Sequence, residues 1–346
     1  MRSKPPAPEP AREARRWRRS LKGAGRVAIA AAIIAYLFSQ IPAAEVLRSV
    51  AGASTGPLLS SVLVVFVLQL IAAYRLRCLA NAYGVGLSTR ALFNINLATI
   101  FYGLCLPAGN VTGFIARVYL MSAPQRQYIS VALALACDRL VATGMLCVVG
   151  IGFWLLAWPV GAWPVLGVML AALVGLLLLQ AVLFMQLPIP FPAILWPARL
   201  DWLRGTLHRS RGLPPATLAW AFGLGILMHV LGTIAYGLVA SALHLDLTLA
   251  TIGWTRAAAM LAAILPISVA GLGVREGVLV LLLAPYGVGA PDALAYSLLA
   301  FAATVLAPGL VGALIEAERL VIRPLLRQSR VAPPAAAVIR RKVGGE

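Results

Sequence analysis

Leu265-Pro-Ile-Ser-Val-Ala-Gly-Leu-Gly-Val-Arg-Glu-Gly277 interrupts an otherwise apolar region. A proline, a serine, glycines and the adjacent Arg275 and Glu276 stand where membrane helix would otherwise continue. Backbone groups freed by Pro266 and the glycines need partners, and lipid supplies none. A charge near the bilayer centre costs about 2.5–3.5 kcal/mol on insertion scales. The stretch must therefore pack inside protein or line a watery cavity.

The rest of the chain supplies the membrane setting. Its 346 residues are 61% hydrophobic and only 12% charged. The mean hydropathy is +0.90. Long apolar runs recur to the end of the chain, the profile of an all-α integral membrane protein. A soluble globular protein would need far more polar surface and is excluded. Lys and Arg number 29 against 11 acids, for a net charge of +18. The excess gathers at the two ends, in residues 1–26 and after residue 318. Basic ends can mean nucleic acid, but here the positive-inside rule and anionic headgroups explain them better. Cys78, Cys105, Cys137 and Cys147 show no CxxC spacing, and His208, His229 and His244 are isolated. Neither a disulfide framework nor a metal or other cofactor is expected.

Read in order, the chain predicts a basic cytoplasmic arm (1–26), a polytopic region (27–318) and a basic cytoplasmic tail (319–346). Full spans are expected near 25–41, 57–74, 128–156, 164–187, 216–242 and 293–315. The loop from 41 to 57 carries Glu45 and Arg48. Arg75, Arg77 and Arg90 are read as cytoplasmic loop bases, and Trp154, Trp158 and Trp163 as an outer aromatic belt. Residues 91–121 contain Asn94 and Asn96 and break at Leu106-Pro-Ala-Gly-Asn-Val-Thr-Gly113. Their second limb is too short to cross, since spanning takes about 20 residues. This predicts a re-entrant broken-helix hairpin, and residues 249–286 predict a second one from the other side. Two full crossings by 249–286 remain the alternative. About six spans and two hairpins leave both termini cytoplasmic.

The two broken stretches resemble each other. Leu106-Pro107, Gly113 and Arg117 parallel Leu265-Pro266, Gly271 and Arg275. The unit of span, hairpin and span would occur as 57–156 and again, inverted, as 216–315. Inverted repeats with broken helices are a recurring transporter device. Chance likeness between two short stretches is the competing explanation.

Pro266-Ile-Ser-Val-Ala-Gly-Leu-Gly-Val-Arg-Glu-Gly277 with its apolar sequel resembles the hallmark of the lysylphosphatidylglycerol synthase transmembrane region, or flippase-like, family. Pro107, Gly109, Asn110, Gly113, Arg117 and the Asp138–Arg139 pair are similar to that family's other polar positions. The resemblance covers about residues 25–320. It implies a multi-span inner-membrane protein of a bacterium or archaeon, whose best-understood relatives move an aminoacylated phospholipid between leaflets. Others are linked to lipid-linked saccharides. Ending at 346 with a short basic tail, the chain is expected to lack the soluble aminoacyl-transferase domain, so lipid synthesis is not expected of it. Phe114 follows Gly113 where an acid would fit the pattern.

The polar residues each carry two readings. Arg275 can bind a lipid phosphate through its bidentate fork, with Glu276 orienting it, or both can hold the broken segment structurally. Arg117 can join that pocket or lie at the cytoplasmic interface. Asp138 and Arg139, inside a span, are site candidates by position or a structural pair. Asn110, Thr112 and Ser268 flank the breaks and cap freed backbone or contact a headgroup. Arg256 is expected to snorkel to headgroups, and His229 to be a satisfied interior residue. The substrate site is thus expected to comprise Asn110, Arg117, Asp138, Arg139, Ser268, Arg275 and Glu276. The expected function is a flippase, not an enzyme, for a phospholipid or lipid-linked headgroup, its partners being that lipid, anionic headgroups at the basic ends and a synthase. The alternative is a non-transporting accessory protein of lipid or polysaccharide synthesis.

Overall fold

A computed structural model describes residues 43–105, 110–123, 127–184, 213–264 and 273–319. The basic arm, the first expected span, both hairpin tips with Ser268, most of the loop 188–215 and the tail beyond Arg319 lie outside the described residues. So does the side chain of Asn110.

Among the described residues the secondary structure is helical, with no strand. In chain order the helices are α1 (Ala43–Ala51), α2 (Thr55–Ala82), α3 (Thr89–Cys105), α4 (Asn110–Ser122), α5 (Tyr128–Ala157) and α6 (Trp163–Phe184). They continue as α7 (Pro215–Ala242), α8 (Leu249–Ile264), α9 (Val274–Leu283), α10 (Ala290–Phe301) and α11 (Ala307–Ala317). Four runs are long and apolar enough to cross a membrane: Thr55–Ala82, Tyr128–Ala157, Pro215–Ala242 and Ala290–Ala317. At 1.5 Å per residue, 28 residues reach about 42 Å, against a hydrocarbon core of about 30 Å. The chain is a multi-pass, all-α membrane protein.

The structure corrects the expected map in three places. Residues 43–51, read as loop, form the helix α1, because Val46 is buried against Leu294 and Ala295 of α10. Ser49 Oγ also donates to Asp292 Oδ1 at 2.6 Å. The span read as 57–74 continues to Ala82, which carries Arg75 inside the fold at 2% exposure instead of in a loop. The last span widens into a π-helical turn over Ala302–Leu306. Pro308 has no N–H to give the Thr304 carbonyl, so the α-helical ladder cannot run through unbroken.

Packing between the elements is reciprocal. Helix α2 packs most extensively on α7; α3 packs on α11, and α8 on α5. Ser54 N–H donates to the Ala242 carbonyl at 2.8 Å. Ser61 Oγ donates to the Ala235 carbonyl at 2.9 Å. A step forward along α2 is thus a step back along α7, and the two helices are antiparallel. Small residues bring the other pairs together, as membrane helices require in the absence of a hydrophobic drive between them. A Cβ on Gly312 of α11 would collide with the Leu97 carbonyl of α3, and one on Gly253 of α8 with the Phe153 ring of α5. The broken elements α3–α4 and α8–α9 each fold back so that their two limbs touch.

Candidate functional site

A cavity of about 510 Å³ opens among α2, α3, α4, α5, α7, α8, α9 and the π turn. That size suits a small ligand or headgroup. Among the described residues, Arg75, Arg117, Arg139, Arg256 and Arg275 line it, with Asp138 as the carboxylate on the wall.

Each arginine is held differently. Arg75 of α2 pairs with Asp138 of α5, its Nη2 lying 2.9 Å and its Nε 3.0 Å from Oδ1. Both residues are buried. Arg117 of α4 donates to the Asn96 side-chain oxygen on α3 and lies within electrostatic reach of Asp138, Arg139 and Arg75. Arg256 of α8 rests against the Tyr236 ring, 5.3 Å from its centroid. Gly232 leaves the space for that guanidinium, because a Cβ there would strike it. Arg275 of α9 pairs with Glu276 and stands 5.0 Å over the Phe301 ring. Arg139 is exposed at the cavity wall.

Glu276 does not line the cavity; it builds the start of α9. Its Oε2 accepts the Gly273 N–H at 2.6 Å, closing half of a capping box. Its Oε1 takes Arg275 and, at 3.4 Å, the Ser297 hydroxyl. Gly273 has φ +85°, a conformation glycine adopts freely. The local sequence Gly273-Val-Arg-Glu276 thus turns the chain, starts a helix and aims one arginine inward.

Four of the cavity arginines keep a buried nitrogen without a hydrogen-bond partner: Arg75 Nη1, Arg117 Nε, Arg256 Nε and Arg275 Nε. These nitrogens are sealed from the cavity itself, Arg75 Nη1 lying beside Gly225; it is the charge of the guanidiniums along the wall that would attract an anion.

Several pairs of wall positions keep a common separation. Gln69 and His229, Ala72 and Gly232, Asn96 and Arg256, and Ile100 and Met260 all line it, and each pair lies 160 positions apart (229 − 69). Gly103 with Ala263 and Leu104 with Ile264 keep the same spacing (263 − 103 = 160).

Of the residues singled out in the sequence, Arg117, Asp138, Arg139 and Arg275 come together on this wall, and Glu276 stands behind it. Asp138 and Arg139 do not form their own pair; successive helical positions point apart, and Asp138 turns to Arg75. Arg256 does not snorkel outward, because Gly232 and Tyr236 make room for it inside. Arg75, Asn96 and Arg256 were missed as site residues. His229 is satisfied, one ring nitrogen lying 2.8 Å from the Ala142 carbonyl.

No curated protein matches the chain in a sequence comparison. A family model does match, over residues 23–312, which include every wall residue described above. The polytopic fold, the broken elements and the Arg275–Glu276 turn therefore belong with that match, and the chain is a member of the family described as the lysylphosphatidylglycerol synthase TM region.

Proposed function

We propose that the protein carries an anionic phospholipid or lipid-linked headgroup between the two leaflets of a bacterial inner membrane. One observation carries this reading: five arginines line one cavity with a single carboxylate among its lining residues. A cavity lined by one sign of charge concentrates the opposite sign. Phosphate offers the acceptor geometry that a guanidinium fork matches.

On this reading α3–α4 and α8–α9 are re-entrant hairpins whose tips reach toward mid-membrane. The two units are inverted relative to each other, in keeping with the antiparallel α2 and α7. Rocking of one unit against the other opens the cavity to one leaflet and then the other. Both termini are cytoplasmic, where their basic residues meet anionic headgroups. The headgroup leaves chemically unchanged, so no catalytic residue is assigned, and a synthase that makes the lipid is the natural partner. Arg117, Arg139 and Arg275 contact the headgroup, and Asp138 and Glu276 place their arginines.

The test is lipid movement in proteoliposomes containing wild type, Arg275→Lys or Arg275→Ala. Lysine keeps a charge for Glu276 but loses the fork. Transport is expected to fall at least about ten-fold in both variants, equivalent to about 1.4 kcal/mol of binding. Folded Arg275→Lys protein moving lipid at the wild-type rate would overturn the pocket. The Arg75–Asp138 and Arg275–Glu276 pairs favour a second reading, in which these charges are structural and the protein is an accessory to a synthase. Wild-type protein that moves no lipid would favour that reading.

A further inference from the structure

The last membrane run, Ala290–Ala317, is continuous in the chain but packs in two neighbourhoods. Its first half, α10, is fixed to the second broken element. Ala293, Tyr296 and Ala300 share a buried cluster with Leu279 and Leu283 of α9. The Ser297 hydroxyl donates to Glu276 Oε1 at 3.4 Å. Its second half, α11, is fixed to the first broken element. Gly309 and Gly312 leave no room for a Cβ against Leu104 and the Leu97 carbonyl of α3. The Tyr102 hydroxyl donates to Glu316 Oε2 at 2.9 Å.

Between the two halves lies the π turn, Ala302–Leu306. Three features weaken the helical ladder there. The Ala307 N–H bonds to the Ala302 carbonyl, one residue further back than an α-helix would reach. Pro308 has no N–H to give. Thr304 Oγ1 donates to the Ala300 carbonyl at 2.6 Å, and such back-bonding bends helices. The turn also stands at the site. Thr304 and Val305 line the cavity beside Phe301, whose ring lies under Arg275. Sharp helix bends fall at prolines and π turns, and π turns gather at functional sites. A plain α-helical ladder would lock the two broken elements to each other. This turn makes their joint the softest point of the span.

Resting on the transport reading above and locating its movement, we propose that the π turn is the hinge of the cavity. Helix α11 with α3 swings on one side of it, and α10 with α9 on the other. Phe301 and Arg275 sit at its edge, so a headgroup drawn to Arg275 meets the hinge directly.

The experiment measures the hinge angle by pulsed electron–electron spin resonance on the full chain in lipid nanodiscs. Spin labels go on Leu281→Cys of α9 and Leu314→Cys of α11, both exposed positions, with the four native cysteines changed to alanine. Leu314 lies eight residues past Leu306 (314 − 306), about 12 Å of helix, so a bend of about 20° moves it about 4 Å. Pro308→Ala supplies the missing N–H. Its distance distribution is expected to be about 4 Å narrower than that of the labelled parent. If Pro308→Ala does not fold, Thr304→Val removes the back-bonding hydroxyl at similar volume, and it should narrow the same distribution. Equal widths for the parent and the folded variant would overturn the hinge. In proteoliposomes, Pro308→Ala should move lipid at least about ten-fold more slowly while its affinity for phosphatidylglycerol, titrated by native mass spectrometry, changes about three-fold or less. Narrowed distances with an unchanged transport rate would also overturn the hinge. The distances are read without transport. A chain that bends at this turn yet moves no lipid would overturn only the transport reading.

Discussion

The two broken-helix regions of this chain share a cavity wall and differ in chemistry. The limbs of each fold against one another, α3 packs on α11, and α8 packs on α5. Yet the first limb of one element brings Asn96 to the wall, and that of the other brings Arg256. Arg75 and Asp138 reach each other across two helices, whereas Arg275 and Glu276 are chain neighbours. Common to both regions are a folded-back pair of helices and guanidiniums on the shared wall. Which helix delivers each guanidinium, and what holds it, differs. The frame serves packing and movement, while the wall can be altered one residue at a time.

The sharpest way to break this comparison is to remove a counter-charge from the first unit. Asp138→Ala leaves Arg75 buried and unpaired, and loss of one partner from a buried pair costs about 3–5 kcal/mol. The expected outcome is poor recovery and a strongly lowered thermal midpoint in detergent, followed by tryptophan fluorescence. Replacing both partners, as Arg75→Met with Asp138→Leu, should restore most of the stability, since apolar substitutes of similar volume often match a buried ion pair. If Asp138→Ala melts like wild type, Arg75 has another anchor, and the first unit is not organised around this pair.

Next in size come the close helix approaches, where both contacts should resist. Gly312→Ala drives a methyl into the Leu97 carbonyl, a backbone atom that cannot step aside. Overpacking of this kind costs about 1–3 kcal/mol. Gly253→Ala meets the Phe153 ring and also its Cβ, which ring rotation does not move, so it should lose a similar amount. Paired thermal melts of the two variants check this. A loss confined to one variant would show that the other contact yields.

Much of this architecture is legible in the sequence because lipid is a strict solvent. Apolar length announces α2, α5 and α7, and Pro107 and Pro266 announce the broken elements. Arg117, Asp138, Arg139 and Arg275 stand out as charges in apolar runs. The direction in which a charge faces is not legible. A membrane helix is apolar toward both lipid and neighbours, so periodicity fails to mark an inner face. Arg256 therefore reads as an interfacial arginine until Gly232 and Tyr236 are seen to receive it. Arg75 reads as a loop base because its partner Asp138 lies far along the chain. Helix α1 is short, and its docking on α10 is a tertiary fact that nothing in its own residues states.

The smallest effect tests whether the α2–α7 seam depends on its polar contact or on shape. Ser61 is fully buried and donates to the Ala235 carbonyl on α7. That carbonyl sits within α7, so the hydroxyl adds a second bond to a group that helix geometry already serves. Hydrogen bonds between membrane helices average about 0.6 kcal/mol in double-mutant cycles. The position 160 residues on is Ala221, equally buried, so the second unit already packs its side of the seam without a hydroxyl. Ser61→Ala should therefore cost about 0.6 kcal/mol and leave lipid binding unchanged. Melting and the native mass-spectrometric titration check both. A loss above about 2 kcal/mol would exceed the largest values measured for such bonds. It would mean that the hydroxyl, and not close packing, fixes the register of α2 against α7.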